Sequence, residues 1–295
     1  MIIDFHTHTF PGKIVKKALG VLQDHSHTET FSDGTDDGLV RSMRKCGIDR
    51  SVLLTVATSA GAVRHINDSS LRKRERRAEQ GLIAFGAMHP DFEDCRGELA
   101  RLKKEGFRGI KMHPVYQDVD INDIRMIRIY DCCAELGLMV VLHAGLDVGY
   151  LEQNRGAPDM TLSALRELRC ISSEDNGFRM VLAHMGGWRQ WDSVVRLAPQ
   201  LLEAGPVMLD TAFSASPLPA LSDGYWKEED LPMLDQDGFM RIIRTYGAER
   251  ILFGTDIPWS DPAKELRFIR ALPLSEEEKD MILGGNAAKV LGLFG

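Results

Sequence analysis

Cysteine is scarce in this 295-residue chain, and the few cysteines form no recognisable framework. No two of them have C-x-x-C spacing, and an odd total of five excludes complete pairing into disulfides. We therefore expect free thiols in a reducing, cytoplasmic compartment. The cysteines are Cys46, Cys95, Cys132, Cys133 and Cys170.

Excess positive charge and long apolar runs are also lacking. The formal net charge is −7, which argues against a nucleic-acid partner because phosphates demand a basic surface. No apolar stretch approaches the ~20 residues needed to span a membrane. Met1–Phe5 enters a predicted strand directly, without the basic and apolar regions of a signal peptide. We expect a small-molecule substrate and no nucleic-acid or membrane partner, and the sequence leaves a homo-oligomer open.

Nucleotide-binding glycine motifs are missing as well. No G-x-G-x-x-G follows the first predicted strand and no G-x-x-x-x-G-K-[ST] occurs, which weakens the alternative of an open, doubly wound sheet. The chain instead alternates short apolar runs with longer amphipathic stretches, and such runs are typical of parallel strands buried on both faces. The predicted strands are Ile2–His6, Ser51–Thr55, Leu82–Met88, Phe107–His113, Leu138–His143, Phe178–His184, Pro206–Asp210 and Arg250–Asp256.

Helical patterns lie between these strands, and most of them end at a glycine, which enters the left-handed conformation without strain. Eight strand–helix units with short links predict an α/β fold, the (β/α)8 or TIM barrel, as a single domain over residues 1–295. The predicted helices are Leu39–Cys46, Ile66–Gln80, Cys95–Glu105, Ile124–Leu136, Thr161–Glu174, Trp191–Glu203, Gly238–Tyr246 and Pro262–Ala271.

Two long loops interrupt this pattern. Thr9–Thr35 follows the first predicted strand, and Ala212–Glu229 follows the seventh. Long loops on the C-terminal side of a barrel usually determine substrate specificity, so we expect Ala212–Glu229 to form a wall or lid of the substrate pocket. The tail Ser275–Leu293 predicts two short helices on the outside of the barrel.

Histidines gather at the C-terminal ends of the predicted strands. Closure of a parallel barrel brings these ends to one face, where barrel enzymes place their active sites. Scattered structural histidines would not select one end of each strand, so the set predicts a functional site. Of the nine histidines, His6, His89, His113, His143 and His184 stand at strand ends, and His8 follows two residues after His6.

The sharpest local motif is Asp4–His8. Residues two apart in a strand point to the same face, so His6 and His8 can present two imidazoles to one metal ion. His-x-His is weak evidence alone, and its place at the end of the first strand is what strengthens it. Neutral imidazole suits zinc, and Mn²⁺, Fe²⁺ and Ni²⁺ are alternatives.

Three further polar residues each follow a largely apolar run: His143, His184 and Asp256. A buried aspartate is costly unless it is paired or bound to a metal. The alternative for Asp256 is a capping role ahead of Pro258. Taken with the histidines of the first strand, these residues favour a metal-dependent active site.

At this point the sequence resembles the amidohydrolase superfamily, in particular the branch that contains aminocarboxymuconate semialdehyde decarboxylase, resorcylate decarboxylases and several lactone hydrolases. The resemblance covers essentially the whole chain. It is carried by Asp4–His8, Gly109–Pro114, the runs that end at His143 and His184, Phe253–Asp256 and Gly285–Leu291.

The resemblance implies a TIM-barrel enzyme with one divalent metal ion bound by His6, His8, His143 and Asp256. It places His184 beside the reacting groups, so His184 and Asp256 are the implied catalytic residues. A metal lowers the pKa of bound water toward ~7, and Asp256 can accept a proton from that water. His184 can polarise a substrate oxygen or relay a proton.

Lys111 and His113 also share one face of a predicted strand. In binuclear members of the superfamily, a carboxylated lysine at this place bridges two metals, which makes a binuclear site with carboxylated Lys111 the minority alternative. In the branch resembled here, these residues line the substrate pocket. Trp188, Arg189 and Trp259 follow ligand strands and are further candidates for substrate binding, with Arg189 as a clamp for a substrate carboxylate.

The main functional hypothesis is a metal-dependent hydrolase that acts on an amide, ester or lactone bond of a small organic substrate. The first alternative is a non-oxidative decarboxylase of an aromatic or unsaturated acid that uses the same site. The second is a metal-binding protein without turnover, which the extra His184 and Asp256 disfavour. Fold alone does not decide among the three.

Overall fold

Parallel strands alternate with helices through residues 1–168 and 177–293, the parts of the chain that this computed structural model describes. β3 and β4 are successive pieces of one strand on either side of Phe85. The strands are β1 Ile3–Thr7, β2 Arg50–Leu53, β3 Leu82–Ala84, β4 Gly86–Ala87, β5 Gly109–Met112, β6 Met139–Leu142, β7 Met180–Leu182, β8 Val207–Asp210 and β9 Ile251–Leu252.

These strands close into a barrel. All the strand pairings are parallel, in the orders β1-β2-β3 and β4-β5-β6-β7-β8-β9. The seam between β9 and β1 is joined where Phe5 N donates to Phe253 O at 2.7 Å and Asp256 N donates to His6 O at 2.8 Å. The predicted α/β TIM barrel is thus confirmed, although the strands are shorter than predicted and His143, His184 and Asp256 lie just beyond them.

The helices surround the barrel, and none among the described residues is long and apolar enough to cross a membrane. They are α1 Val15–Ser26, α2 Asp36–Cys46, α3 Ala62–Arg72, α4 Arg74–Glu79, α5 Cys95–Lys104, α6 Ile124–Leu136, α7 Pro158–Glu167, α8 Trp191–Ala204, α9 Gln236–Tyr246, α10 Pro262–Ala271, α11 Glu276–Asp280 and α12 Asn286–Val290. The end of the helix predicted at Thr161–Glu174 lies outside the described residues.

Two expectations about helices are corrected. The predicted loop Thr9–Thr35 contains the helix α1. Its N-cap residue, Ile14, makes no side-chain capping hydrogen bond, and the helix buries little apolar surface, so no sequence signal marks it. The predicted helix Ile66–Gln80 is broken at Lys73, which leaves helical geometry at φ −98° and ψ 0°. Beyond the break Arg77 turns inward, and its Nε donates to Asp36 at 2.9 Å.

Most buried apolar side chains belong to two separate layers, and a third, small cluster contains Trp188 and Phe213. The larger cluster lies between the strands and the ring of helices, and the smaller one fills the inside of the barrel. Ala287, Ala288 and Leu291, at the end of the chain, belong to the inner cluster. Because Gly284 lies against Met1 and Ile3, this segment closes the N-terminal end of the barrel. The expectation that the tail caps only the outside is therefore wrong.

Candidate active site

Two histidines and an aspartate meet at the C-terminal end of the barrel. His6 Nε2 lies 3.1 Å from His8 Nε2 and 3.5 Å from Asp256 Oδ1, and His8 Nε2 lies 3.0 Å from the same oxygen. Tetrahedral ligands bound at 2.0–2.1 Å to zinc are about 3.3 Å apart. The three predicted residues thus form a triangle of the size that one metal ion requires.

Hydrogen bonds orient both imidazoles of this triangle. His6 Nδ1 donates to Asp210 Oδ2 at 2.8 Å, and His8 Nδ1 donates to the carbonyl of Leu54 at 2.6 Å. A carbonyl oxygen only accepts, so the ring nitrogen that faces it carries the proton and the other nitrogen has a free lone pair. Both Nε2 atoms therefore point lone pairs into the triangle.

His184 and His143 form a second pair beside it. His184 Nδ1 donates to the carbonyl of Ala212 at 2.9 Å, and His143 Nε2 donates to the carbonyl of Leu146 at 3.1 Å. Their other nitrogens, His184 Nε2 and His143 Nδ1, face each other at 2.9 Å. Within the group His6, His184 and Asp256, one donor atom of each residue lies within 4.8 Å of the others. The structure thus groups His184 with His6 and Asp256, whereas His143 contacts His184 and has its donor atoms grouped with those of His113 and Asp147.

The donor set fits a cation. Burial lowers the pKa of His6, His143 and His184, so these rings are neutral at pH 7. Burial acts to raise the pKa of Asp256, but the adjacent His6 and His8 outweigh it and hold that pKa below its ordinary value. Unprotonated nitrogens that face one another beside a carboxylate repel unless a positive charge lies between them. The cluster is therefore suited to a divalent metal ion.

Two aspartates that the sequence analysis missed hold this cluster in place. Asp210 Oδ2 accepts the hydrogen bond from His6. Its other oxygen, Oδ1, accepts from the backbone N–H groups of His184 and Ala212 at 3.0 and 3.1 Å. Asp4 accepts from Thr255 Oγ1 at 2.6 Å, and burial raises its pKa to about 7. The available signal for Asp210 was its place at the end of a predicted strand, the same signal that identified Asp256.

The backbone at the site is strained in a way that aims side chains inward. His184 and Asp256 have φ values of 60° and 66°, a left-handed conformation that costs non-glycine residues of order 1–3 kcal/mol. Gly254 allows the close approach of the neighbouring strand, because a Cβ there would lie 2.8 Å from His6 Cβ. Strain at two candidate functional residues is typical of an active site.

Lys111 lies at the floor of the cluster, fully buried. Its Nζ is 3.4 Å from His6 Nε2, and burial lowers its pKa to about 8. A lysine with such a pKa is mostly protonated at pH 7, with roughly a tenth present as free amine. This position is compatible with both expectations for Lys111, a residue that lines the substrate pocket or a carboxylated lysine that bridges two metals.

His113 belongs to a second polar group with Asp147 and Tyr116, of which the sequence predicted only the histidine. His113 stacks between Tyr116 and His143, with ring centroids 3.7 and 4.1 Å apart. Because the backbone N–H of Tyr116 points at His113 Nδ1, Nε2 is the protonated nitrogen, and it faces Asp147 Oδ2 at 3.5 Å. His113 therefore accepts from Tyr116 through Nδ1 and presents its N–H to the carboxylate of Asp147, which leaves it no free lone pair.

One cavity of about 860 Å³ contains these polar residues and several large apolar side chains. Trp188, Trp259 and Phe213 line it together with Lys111 and His113. Four of the five residues predicted to bind substrate therefore reach the cavity. An apolar, aromatic wall around a few converging polar groups is the usual form of a small-molecule site.

Arg189, the fifth of these residues, is not brought to the cavity. Its guanidinium donates to the carbonyls of Pro232, at 2.8 Å, and Asp230, and lies 4.9 Å from the ring centroid of Trp188. It lines a separate surface cleft. The geometry therefore gives no support to Arg189 as a clamp for a substrate carboxylate.

The loop predicted as Ala212–Glu229 crosses the mouth of the barrel. Phe213 contributes to the cavity wall, and Ala220 forms an isolated antiparallel bridge with Thr28. His27 Nδ1 donates to Asp223 Oδ2 at 2.8 Å, at the end of α1. The loop thus joins α1 above the histidine cluster.

Comparison with known proteins agrees with this geometry. The sequence profile of the amidohydrolase family matches residues 3–293. The search of curated proteins gave no match.

Similar solved structures include 5-carboxyvanillate decarboxylase from Sphingomonas paucimobilis, at 16% identity and a TM-score of 0.68 over 99% of this chain and 98% of that one. Another is 2,6-dihydroxybenzoate decarboxylase from Rhizobium, at 15% identity and a TM-score of 0.67 over 100% and 99%. A third is dihydroxybenzoic acid decarboxylase from Polaromonas, crystallised with manganese and 2-nitroresorcinol, at 15% identity and a TM-score of 0.68 over 99% and 97%.

At these identities the similar structures establish the fold, whereas the profile match covers nearly the whole chain and establishes the family. The predicted resemblance is confirmed. The chain belongs to the amidohydrolase family, in its amidohydrolase-2 branch, and is an enzyme of that superfamily.

Proposed function

We propose that this protein is a metal-dependent, non-oxidative decarboxylase of a small aromatic or unsaturated carboxylic acid. The observation that carries the proposal is a cluster of neutral imidazoles and one carboxylate at the inner end of an apolar, aromatic-lined cavity. Solved proteins that share the fold over the whole chain are described as decarboxylases of aromatic acids. This support favours the decarboxylase over the hydrolase that the sequence alone ranked first.

We propose that the residues that hold the metal are His6, His8, His143 and Asp256, with His184 beside them. A divalent cation bound there would supply positive charge to the carboxylate oxygens of the substrate. Two of the similar structures contain manganese, which makes Mn²⁺ as good a candidate as Zn²⁺. One ion remains the proposal, since His113 directs its protonated nitrogen at Asp147.

The side chains have separate tasks in this reaction. Trp188, Trp259 and Phe213 pack on an aromatic ring and exclude water from it. Lys111 adds positive charge at the floor of the cavity, close to the carboxylate that leaves as carbon dioxide. When that carbon–carbon bond breaks, its electron pair stays on the ring carbon, which must then receive a proton.

Asp256 and His184 are the candidates for proton transfer to this carbon. Both have pKa values below their ordinary values, so at neutral pH Asp256 is a carboxylate and His184 is a neutral imidazole whose one ring proton is held by the carbonyl of Ala212. The donor must therefore first take its proton from the substrate or from solvent. A positioned group of this kind contributes roughly 10²–10⁴ to the rate.

Hydrolysis of an amide, ester or lactone is the second candidate function. The same Asp256 could accept the proton of an attacking water, and the family name itself refers to this chemistry. The absence of a substrate clamp at Arg189 removes one argument for a carboxylate substrate. We rank hydrolysis second because several of the similar structures are known as decarboxylases of aromatic acids.

Isotopes distinguish the two reactions. Protein loaded with manganese or zinc is incubated in deuterated water with a panel of hydroxybenzoic acids, and released carbon dioxide and ring deuterium are measured. We expect carbon dioxide and one deuterium on the carbon that lost the carboxylate. Label from ¹⁸O-water in a new carboxyl group of a lactone or amide substrate, with no carbon dioxide from any acid, would instead establish the hydrolase.

A further inference from the structure

The cavity has an outer part that a compact aromatic acid does not need. We call it the outer chamber, and it lies between α1 and α3. Its volume is continuous with the histidine cluster, and the whole cavity of about 860 Å³ is near the upper end of the range of roughly 300–1,000 Å³ for small-molecule sites. Its lining includes Lys13, Ile14, Lys17, Val21, Ile66 and Lys73.

Apolar side chains on α1 face this chamber without a protein partner that covers them. Ile14 is 51% exposed and Val21 is 49% exposed, although both line the cavity. They are seven residues apart, which places them on the same face of the helix and about 10 Å apart along its axis. An exposed apolar face that lines a substrate cavity is suited to cover the apolar body of a long ligand.

The charges of the chamber all have one sign. Lys13 lies in the turn before α1 and Lys17 in the first turn of α1; both are exposed and form no ion pair within the described part of the chain. Lys73 is 4.0 Å from Asp36, its nearest carboxylate. Among the described residues that line the cavity, the acidic ones are Asp147 and Asp256, at the histidine end. In a chain of net charge −7, two neighbouring lysines without an ion-pair partner favour an anionic ligand group.

We propose that the outer chamber is a second substrate subsite, which makes the natural substrate an elongated acid with two anionic ends. One carboxylate reaches the histidine cluster, the apolar body lies along Ile14 and Val21, and a second carboxylate or phosphate binds at Lys13 and Lys17. The inference rests on the proposed function for the reacting end only. The recognition of the distal anion depends on α1 and the turn before it, and does not depend on which reaction occurs at the histidine cluster.

The test uses binding rather than turnover. The probes are 2-hydroxybenzoates that carry, at ring position 5, an alkoxy chain ending in carboxylate, in phosphate or in a neutral hydroxyl. Titration calorimetry with manganese-loaded protein gives the dissociation constants for several chain lengths. We expect the charged chains to bind about tenfold more tightly than the neutral chain of equal length, an advantage that high salt reduces. Comparison of carboxylate with phosphate identifies the preferred anion.

Matched variants locate the effect on α1. Lys13→Gln/Lys17→Gln should remove the preference for the charged chain, whereas Lys16→Gln, an exposed lysine on the same helix outside the cavity lining, should keep it. Ile14→Ser/Val21→Ser should weaken charged and neutral chains alike, since it removes apolar contact. These side chains are exposed, so the variants should fold.

The inference and the proposed function fail in different ways. Equal binding of charged and neutral chains, or an equal loss in Lys16→Gln, would overturn the second subsite. So would decarboxylation of a compact acid by a protein that binds no extended probe, and the proposed function would then stand. A charged-chain preference that depends on Lys13 and Lys17, without carbon dioxide from any acid, would support the subsite and reject the decarboxylase.

Discussion

At the C-terminal end of the barrel, buried imidazoles and carboxylates face one another, whereas at the N-terminal end Ala287, Ala288 and Leu291 fill the interior with apolar side chains. The C-terminal end, called the upper end below, also has strained backbone at His184 and Asp256, whereas the N-terminal end is the lower end. Such a site costs stability, which the packed end must supply. Substitutions at the C-terminal end should therefore change mainly metal binding and activity, and substitutions at the N-terminal end should change mainly stability.

The largest effect is expected at the histidines of the upper end. His8→Ala should lower metal content from about one equivalent to a small fraction and reduce kcat by about 10³-fold or more, because one of a few ligands is lost. Metal analysis and steady-state kinetics measure this. Tm of the metal-free protein should change little. Normal activity in protein shown to be free of metal would contradict the assignment.

A comparison of His143→Ala with His184→Ala sharpens the roles within the cluster. We expect His143→Ala to lose metal, and His184→Ala to retain most of it while kcat falls roughly 10²–10⁴-fold. The structure makes this a demanding test, because His184 rather than His143 is grouped with His6 and Asp256. Equal metal loss in both variants would make His184 a ligand.

The opposite result is expected at the lower end. Leu291 is 1% exposed within the barrel, so Leu291→Ala should reduce the free energy of unfolding by about 2–5 kcal/mol through the cavity it leaves. Denaturant titration gives this value. The kcat of the remaining folded protein should be unchanged. A fall in kcat with unchanged stability would break the division between the two ends.

Asp210 tests whether the upper end depends on orientation as well as on ligands. Asp210→Asn keeps the size of the side chain but weakens its hold on His6 Nδ1, and the loss of such a partner typically costs 10–100-fold in metal affinity. Competition with a chelator measures the affinity. Asp237→Asn, at an exposed position on α9, is the control and should bind metal normally.

The smallest expected effect is on the pH dependence of stability, and it comes from a buried carboxyl group near the upper end. Burial raises the pKa of Glu265 on α10 to about 8 from 4.5, so the folded state holds its proton more tightly than the unfolded state. This contribution to stability is complete below pH 4.5 and is lost as pH rises through 8.

Glu265→Gln should therefore flatten the dependence of stability on pH. At pH 9 the variant should be more stable than the native protein by about 1 kcal/mol or more, with no such gain at pH 5. Chemical unfolding at both values checks this, with the exposed Glu277→Gln as control. An equal change at both pH values would show a packing effect instead of an ionisation.

The sequence predicted the parts of the molecule that have a periodic or positional signature. The strand ends identified His6, His8, His143, His184 and Asp256, because parallel strands must end at one face. The same rule would have found Asp210, had a carboxylate at the end of the seventh predicted strand been weighed like Asp256.

Other features could not be predicted because their cause is tertiary. Asp147 reaches His113 only through the path of its loop, and Arg189 is held away from the cavity by backbone carbonyls distant in the chain. α1 lacks a buried stripe because its apolar side faces the cavity. Each depends on contacts that no local pattern encodes.

Anomalous diffraction from crystals of the metal-loaded protein, collected at the manganese and zinc edges, tests the metal centre most directly. We expect one peak at about 2.0–2.2 Å from His6 Nε2, His8 Nε2, His143 Nδ1 and Asp256 Oδ1. Two peaks bridged by a carboxylated Lys111 would replace this centre with the binuclear alternative. No peak at this cluster, in a protein that is nevertheless active, would contradict it.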